Sequence, residues 1–202
     1  MIRPIVAYGA PVLKKKAVAI EPDYPKLSVL IDDMWETMYA SNGVGLAAPQ
    51  IGLSVRLFVI DAAPFAADEE LDAEEVKTLE SFKKVFINPK IITEEGEHWA
   101  FNEGCLSIPD VREDVQRQEQ LTIEYQSEDF KTHTETFTGL AARVVQHEYD
   151  HIEGVLFTDH LSPLKRRLIK NKLTASSKGL ISVDSPTKFP NQSKRQQWTH
   201  QI

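Results

Sequence analysis

The stretch VVQHEYDHIEG, from Val144 to Gly154, constrains this chain more than any other part of it. It carries two histidines four residues apart, with a glutamate directly after the first. Residues at i and i+4 lie on the same side of a helix, one turn apart. His147 and His151 can therefore direct two imidazoles at one metal ion, with Glu148 beside them as a proton carrier.

The apolar residues around this pair favour a helix that is substantially buried and ends at Gly154. The alternative is an amphipathic helix whose polar residues face solvent. Against it, Leu140, Val145 and Ile152 flank the histidines, and buried histidines need polar partners. A metal held by two histidines needs at least one more protein ligand and an open position for water.

Two further stretches contain candidates that would complete such a site. The only cysteine, Cys105, lies in NEGCLSIPD (Asn102–Asp110), although a free cysteine on its own is more typical of a small buried hydrophobe. The stretch GVGLAAPQ (Gly43–Gln50) has small residues and one polar side chain, Gln50. Its glycines allow a backbone to approach a ligand closely, but it can equally be a tight loop in the core.

The periodicity of the apolar residues predicts both helices and strands along the chain. The predicted elements are a helix over Leu27–Ser41, strands over Val55–Asp61 and Lys84–Ile92 with an interruption at Pro89, a hairpin over Leu121–Gly139, the metal helix from Leu140 to about Glu153, and a last helix that begins at Ser162 and Pro163.

The expected fold is one α+β domain of antiparallel or mixed β-sheets packed around the metal-binding helix, with an N-terminal and a C-terminal helix. With 202 residues and 42% apolar content, the chain can bury one full core. The catalytic domain is expected to span residues 1–175, with an acidic, partly helical surface insertion at about 62–83. Residues 176–202 are expected to form a polar, loosely ordered tail.

Composition limits the partners and the compartment. A net charge of −7 argues against a nucleic-acid-binding protein as a whole, although it says nothing about local patches. No apolar run approaches the roughly 20 residues of a membrane span. One cysteine cannot form an intramolecular disulfide, and the basic residues of the N-terminus follow its apolar ones, which is the wrong order for a signal peptide. A cytoplasmic location is expected.

In this order and spacing, the three stretches resemble the peptide deformylase family. That family is marked by G-x-G-x-A-A-x-Q, E-G-C-[LE]-S and Q-H-E-x-D-H-x-x-G, which match Gly43–Gln50, Glu103–Ser107 and Gln146–Gly154 without a gap. The similarity extends to Val155–Pro163 and to a V-x-R element at Val115–Arg117, and it covers roughly residues 3–173.

The resemblance implies a metal-dependent hydrolase that removes the N-formyl group from the N-terminal methionine of newly synthesised polypeptides and releases formate. It implies that Cys105, His147 and His151 hold one divalent ion, physiologically Fe(II), with zinc, nickel or cobalt as substitutes. In the implied chemistry, Glu148 is the general base and acid for the attacking water. The Gln50 amide and the Leu106 backbone N–H stabilise the charge on the formyl oxygen.

The resemblance also implies a methionine pocket and a peptide-binding edge. The implied substrate-binding residues are Gly43, Val44, Gly45, Phe101, Gly104, Leu140 and Val144. The peptide would run as an extra strand held by Gly45. Arg143 interrupts the apolar row of the helix and is expected to point out of the pocket.

Two carboxylates near the motifs are candidates for support of the ligand histidines. Glu103 and Asp150 are expected to accept the second N–H of a ligating imidazole. Either can instead pair with Arg117 or Arg143, and the sequence leaves this open.

The segment His160–Val183 contains six basic residues and no acidic one. A solvated helix face is one interpretation. The other is a docking helix over residues 163–174 that contacts ribosomal RNA where formylated chains emerge.

Two other functions use the same motifs. A zinc endopeptidase would need a third ligand downstream, where Glu153 and His160 fall at untypical spacings, and it would leave EGCLS unexplained. A degenerate family member would bind formylated peptides or metal without turnover. Activity on formylated and on free peptides separates both from a deformylase.

Overall fold

The fold places one buried helix against an antiparallel sheet. The structure is a computed structural model, and it describes residues 1–191 of the chain. Its helices are α1 (Leu27–Ala40), α2 (Ala73–Glu80), α3 (Gly139–Glu153) and α4 (Pro163–Ser177). Its strands are β1 (Ile5–Val6), β2 (Gly45–Ala47), β3 (Leu57–Asp61), β4 (Lys83–Cys105), β5 (Ile108–Gln126), β6 (Thr132–Thr138) and β7 (Thr187–Lys188). Short 3-10 helices lie at Pro11–Lys14, Ala48–Ile51, Ala63–Ala67 and Phe157–His160.

Five strands form one antiparallel sheet in the order β2-β3-β4-β5-β6, while β1 and β7 form a small parallel pair. Helix α3 contacts β5, β2 and β3, so it lies on this sheet. Strand β2 is at the edge of the sheet. The predicted α+β fold is confirmed, with α1 and α4 as the N-terminal and C-terminal helices around α3.

Helix α3 forms where the sequence predicts it and for the predicted reasons. Val145 and Ile152 are fully buried and pack in one cluster with Phe58 and Phe86 of the sheet. The helix ends at Gly154, which has φ +77 and meets the backbone of Lys14 so closely that an added Cβ would lie 2.9 Å from its carbonyl carbon. A glycine is required there both by its conformation and by the space available.

Strand β4 extends well beyond the predicted strand at Lys84–Ile92. The predicted interruption at Pro89 corresponds to a register shift between Ile87 and Lys90, because proline has no N–H for the ladder. The strand then continues to Cys105 through largely polar, exposed residues. Their composition is typical of a loop, yet their backbone groups pair with β5. The long β4–β5 hairpin carries Cys105 to its turn.

The segment 62–83, between β3 and β4, is partly helical, with the 3-10 turn Ala63–Ala67 followed by α2. The Asp72 carboxylate caps α2 by accepting the N–H groups of Glu74 and Glu75. Leu79 of α2 is fully buried in the same cluster as α3. The segment is thus packed onto the body of the domain.

Regular structure continues past residue 175, the predicted end of the catalytic domain. Helix α4 begins at the Ser162 cap and runs to Ser177. Residues of the predicted tail then return to the N-terminus, where β7 pairs with β1 and Phe189 is buried. Residues 192–202 of that tail lie outside the described residues, and the division at 175 stays a prediction. Within residues 1–191, none of the helices has the length and apolar character needed to cross a bilayer.

Candidate metal centre and catalytic site

Cys105, His147 and His151 come together in the folded domain. Their ligand atoms all lie within 4.8 Å of one another, and Cys105 Sγ is 3.3 Å from His151 Nε2. Cys105 ends β4, and the two histidines lie one turn apart on α3. A thiolate with two imidazoles suits iron(II) or zinc better than magnesium or calcium. The three residues therefore fit a transition-metal ion.

The charge state of Cys105 supports the same reading. Burial raises the pKa of the thiol, but the neighbouring His151 and His147 outweigh burial and lower the pKa to about 5. A lowered pKa favours the thiolate, which is the form that binds metals.

A buried carboxylate orients one of the ligand histidines. Glu103 is 4% exposed, and its Oε2 lies 2.9 Å from His147 Nδ1. It also accepts hydrogen bonds from Arg117 Nε at 2.7 Å and from Arg143 at 3.1 Å. Burial opposes its ionisation, yet His147 and Arg117 hold the pKa of Glu103 well below its usual range. Because Nδ1 of His147 is engaged by this carboxylate, Nε2 is left for a metal.

The sequence left open whether Glu103 and Asp150 support a ligand histidine or pair with an arginine. Glu103 does both. Asp150 does not contact a ligand histidine in this way. Its carboxylate accepts from Arg117 at 2.8 Å and lies 2.7 Å from Nε2 of His160. Asp150 therefore supports the site indirectly, through the arginine that also binds Glu103.

Glu148 is poised for proton transfer beside the ligands. It is 4% exposed, and burial raises the pKa of its carboxyl to about 7, although His147 and His151 pull it down. A carboxyl with a pKa near the working pH both takes and gives a proton efficiently. Strand β2 passes directly over it, since a Cβ on Gly45 would lie 2.4 Å from Glu148 Oε1. Only glycine permits this close approach.

The Gln50 side chain is held with its amino group toward the ligands. Its Oε1 accepts the Ala47 N–H at 2.8 Å, and its Nε2 points at Cys105 Sγ at 3.5 Å. Leu106 lies beside it, in the turn between β4 and β5. Both residues are therefore at the site, and the Gln50 amide presents N–H donors there.

A cavity of about 490 Å³ opens beside these groups. The sequence-predicted residues that line it are Gly43, Val44, Gly45, Gln50, Phe101, Gly104, Cys105, Leu106, Val144, His147 and Glu148. His151 is buried behind them, at 1% exposure. Leu140 is not among the lining residues; it packs in the hydrophobic cluster between α3 and the sheet.

The expectation that Arg143 points out of the pocket is wrong, because Arg143 lines the cavity. Its charge is compensated by Glu103, and it donates to the backbone oxygens of Val115 and Trp99. The guanidinium lies 4.3 Å from the centre of the Trp99 ring. A buried arginine is tolerated there because its charge and most of its donors have partners.

Sequence reasoning also missed Phe65 and Arg112 as lining residues. Phe65 lies in an acidic segment with no motif, and only the packing of that segment brings its ring to the cavity. Arg112 follows the E-G-C-L-S motif on β5 and donates to the Asn102 side chain and backbone. Arg112 pairs with Gly104 in the β4–β5 hairpin, and a predicted hairpin around the E-G-C-L-S motif would have indicated that it lies near the site.

Comparisons with known proteins give one family. The sequence model of the polypeptide deformylase family matches residues 2–167. A peptide deformylase from Christiangramia forsetii is 66% identical over 194 residues, which cover 96% of this chain and 99% of that protein. A peptide deformylase from Flavobacterium johnsoniae is 61% identical over 189 residues, which cover 94% of this chain and 96% of that protein.

Solved structures agree with these sequence matches. A peptide deformylase from Legionella pneumophila has a TM-score of 0.72 at 40% identity and covers 86% of this chain and 94% of its own. One from Thermotoga maritima has a TM-score of 0.70 at 36% identity and covers 81% of this chain and 99% of its own.

Proposed function

This chain belongs to the polypeptide deformylase family, and we propose that it uses Glu148 as the general base and acid of the reaction. It is a hydrolase that removes the N-formyl group from N-formylmethionyl peptides and releases formate. The observation that carries this function is the meeting of Cys105, His147 and His151, which would hold a metal, next to Glu148, which would move protons. Cys105, His147 and Glu148 line the cavity, and His151 lies buried behind them.

The metal is a divalent ion, and Cys105, His147 and His151 are the residues that would hold it. When bound, such an ion makes water more acidic and polarises a carbonyl oxygen. We propose Fe(II) as the physiological ion, with zinc, nickel or cobalt as substitutes, because thiolate and imidazole ligands accept all of these. Loading metal-free protein with each ion under anaerobic conditions and comparing formate release tests the choice; iron should give the highest turnover.

Glu148 transfers the proton between the attacking water and the leaving amine. Its carboxylate takes a proton from the attacking water and returns it to the leaving amine nitrogen as the formamide C–N bond breaks. The burial that raises its pKa to about 7 supports both halves of this transfer at neutral pH. The Gln50 amide and the Leu106 backbone N–H are the proposed donors to the formyl oxygen, where negative charge develops.

The substrate peptide is proposed to add to the free edge of β2. Gly45 belongs to this strand, which is at the edge of the sheet, and it lies directly over Glu148. Backbone hydrogen bonds along such an edge bind any sequence, so they explain acceptance of many proteins. The first side chain is proposed to enter the cavity between Val44, Phe101 and Val144.

Anaerobic assay of the iron-loaded protein tests the function. Formyl-Met-Ala-Ser should release formate, and chelator should abolish the release. Acetyl-Met-Ala-Ser and a longer peptide with a free N-terminus are the controls, and neither should be cleaved. No formate from a metal-loaded sample would indicate a binding protein, and cleavage inside the free peptide would indicate an endopeptidase.

A ribosome contact through residues 163–174 is a second, separate proposal. Its support is the exposed surface of α4, where Leu164 and Leu168 are 68% and 72% exposed and where Arg166, Arg167 and Lys170 are exposed as well. A helix that exposes both basic and apolar groups suits a surface made of RNA and protein.

Charge reversal tests this contact. Changing Arg166, Arg167 and Lys170 to glutamate should weaken co-sedimentation with ribosomes and leave deformylation of a tripeptide unchanged. Changing the exposed Lys15, Lys77 and Lys90 to glutamate makes the same change in net charge elsewhere. Equal binding by both triple variants would refute the contact. A cytoplasmic location is proposed on related grounds, because the substrate is a polypeptide newly made by ribosomes.

A further inference from the structure

The segment 62–83 contributes one aromatic side chain to the catalytic cavity. Phe65 lines the cavity together with Phe101. The two rings meet edge to face, with centres 6.2 Å apart and planes at 88°, a favoured arrangement of aromatic pairs. Phe101 comes from β4 and Phe65 from the 3-10 turn at Ala63–Ala67, so two separate elements build one aromatic wall.

Phe65 is presented by a turn that the domain holds in place. Ala62, at the start of the segment, is fully buried, and its N–H donates to the carbonyl of Phe82 at 2.9 Å. The N–H of Phe65 then donates to the carbonyl of Ala62 at 3.0 Å. Leu79, near the far end, is fully buried as well. Both ends of the segment are thus attached to the core.

The same segment is also attached to the catalytic helix. A carboxylate oxygen of Glu75 on α2 accepts the N–H of Leu140 in the first turn of α3, at 3.1 Å. This N–H is one of the helix-terminal donors without a partner inside the helix, and a negative charge at this end is favourable. The position of the segment is therefore tied to the helix that carries Glu148.

The second ring of the wall is fixed from behind. The Arg143 guanidinium lies 5.9 Å from the centre of the Phe101 ring and 4.3 Å from that of Trp99. Arg143 is in turn anchored by Glu103 and by the backbone oxygen of Trp99. Phe101 thus packs against an anchored arginine, and Phe65 supplies the other ring of the wall.

We infer that Phe65 is a specificity-determining residue that selects the first side chain of the formylated substrate. The inference rests on the proposed function. A flexible thioether that packs against this wall makes favourable sulfur–aromatic contacts with its rings. A smaller side chain would forgo these contacts, and a bulky one would collide with the Phe65 ring.

Three variants test the inference. Phe65→Ala removes the ring, and Phe65→Leu replaces it with an apolar side chain of intermediate size. Leu71→Ala is the matched control, because Leu71 packs against the same cluster from the same segment without lining the cavity. Each is assayed on formyl-Met-Ala-Ser, formyl-Ala-Ala-Ser and formyl-Phe-Ala-Ser.

Phe65→Ala should lower the preference for methionine over both competitors about tenfold, mainly by raising KM for the methionine substrate. Phe65→Leu should restore part of that preference, and Leu71→Ala should keep it. An unchanged preference in both Phe65 variants would overturn the inference. A change of equal size in the Leu71 variant would overturn it too, since the effect would then be one of general packing.

Calorimetric binding of the product Met-Ala-Ser and of Ala-Ala-Ser gives a readout that needs no turnover. Wild-type protein should bind the methionine peptide more tightly, and Phe65→Ala should lose most of that difference. If the wild-type protein released no formate, the proposed function would fail, while the binding difference would still decide the role of Phe65. Equal binding differences in wild type and Phe65→Ala would refute that role.

Discussion

The change Glu103→Gln removes one buried negative charge while keeping the size of the side chain. The Glu103 carboxylate is almost fully buried and serves three partners: the Arg117 guanidinium, Arg143 and His147 Nδ1. A glutamine keeps one oxygen acceptor but presents an amino group to donors. Arg117 would then keep the Asp150 carboxylate as its partner, and Arg143 would lose the carboxylate that it contacts.

The expected loss is large because a buried pair is broken by removing one partner. Such changes cost about 3–5 kcal/mol of unfolding free energy. For a domain of this size, that loss corresponds to a fall in Tm of roughly 6–20 °C. Metal affinity should fall about 10- to 100-fold, because the residue that orients a ligand histidine is lost.

Denaturant unfolding of the metal-free protein gives the stability, and competition with a chelator gives the affinity. Glu135→Gln is the control, since Glu135 is paired with Lys84 and Tyr125 but is one-third exposed. That pair should contribute no more than about 1 kcal/mol. If Glu103→Gln were as mild as Glu135→Gln, the claim that this carboxylate holds the site together would be wrong.

The stability that Glu103 contributes should change with pH in a definite direction. Burial opposes ionisation, but His147 and Arg117 lower the pKa of Glu103 well below the ordinary value of 4.5. A lowered pKa contributes stability above the unfolded value, and that stability is lost as the pH falls toward the folded value. The difference between wild type and Glu103→Gln should therefore be full above pH 4.5 and shrink below it. A difference that grew with acid would contradict the assignment.

Three further changes test separate contacts. Gly45→Ala would place a Cβ 2.4 Å from Glu148 Oε1, so kcat should fall at least about 100-fold with metal content unchanged; normal kcat would refute the close approach. Glu75→Gln weakens the acceptor for the Leu140 N–H and should lower the unfolding free energy by about 1 kcal/mol, and an unchanged denaturation midpoint would contradict this. Cys105→Ala should lower metal content and abolish thiolate absorption in a cobalt-substituted sample, whereas normal absorption would exclude the thiolate.

Local signals made the centre of the site predictable. The spacing of His147 and His151 follows from helix geometry, and Gly154 marks the end of α3, as its φ of +77 requires. The family pattern then indicated Cys105 as the third ligand, and the structure brings it within reach of both histidines. These inferences depend on residues close in sequence or on motifs that the chain matches without a gap.

The features that could not be predicted from the sequence depend on packing between residues far apart in the chain. Arg143 looks misplaced in an apolar row until Glu103, forty residues earlier, is seen to compensate its charge. Phe65 lies among acidic residues and reaches the cavity only because Ala62 and Leu79 anchor its segment. The polar half of β4 has no strand-like alternation, because its order comes from backbone pairing with β5 and not from burial of one face.

The most direct test of the account measures metal content and kcat on the same sample of Glu148→Gln. The change leaves Cys105, His147 and His151 in place, so the variant should retain about one metal ion per chain. Turnover of formyl-Met-Ala-Ser should fall by at least about 100-fold, because the group that moves the proton is lost. Full metal content with wild-type turnover would contradict the central claim that Glu148 carries the proton between water and the leaving amine.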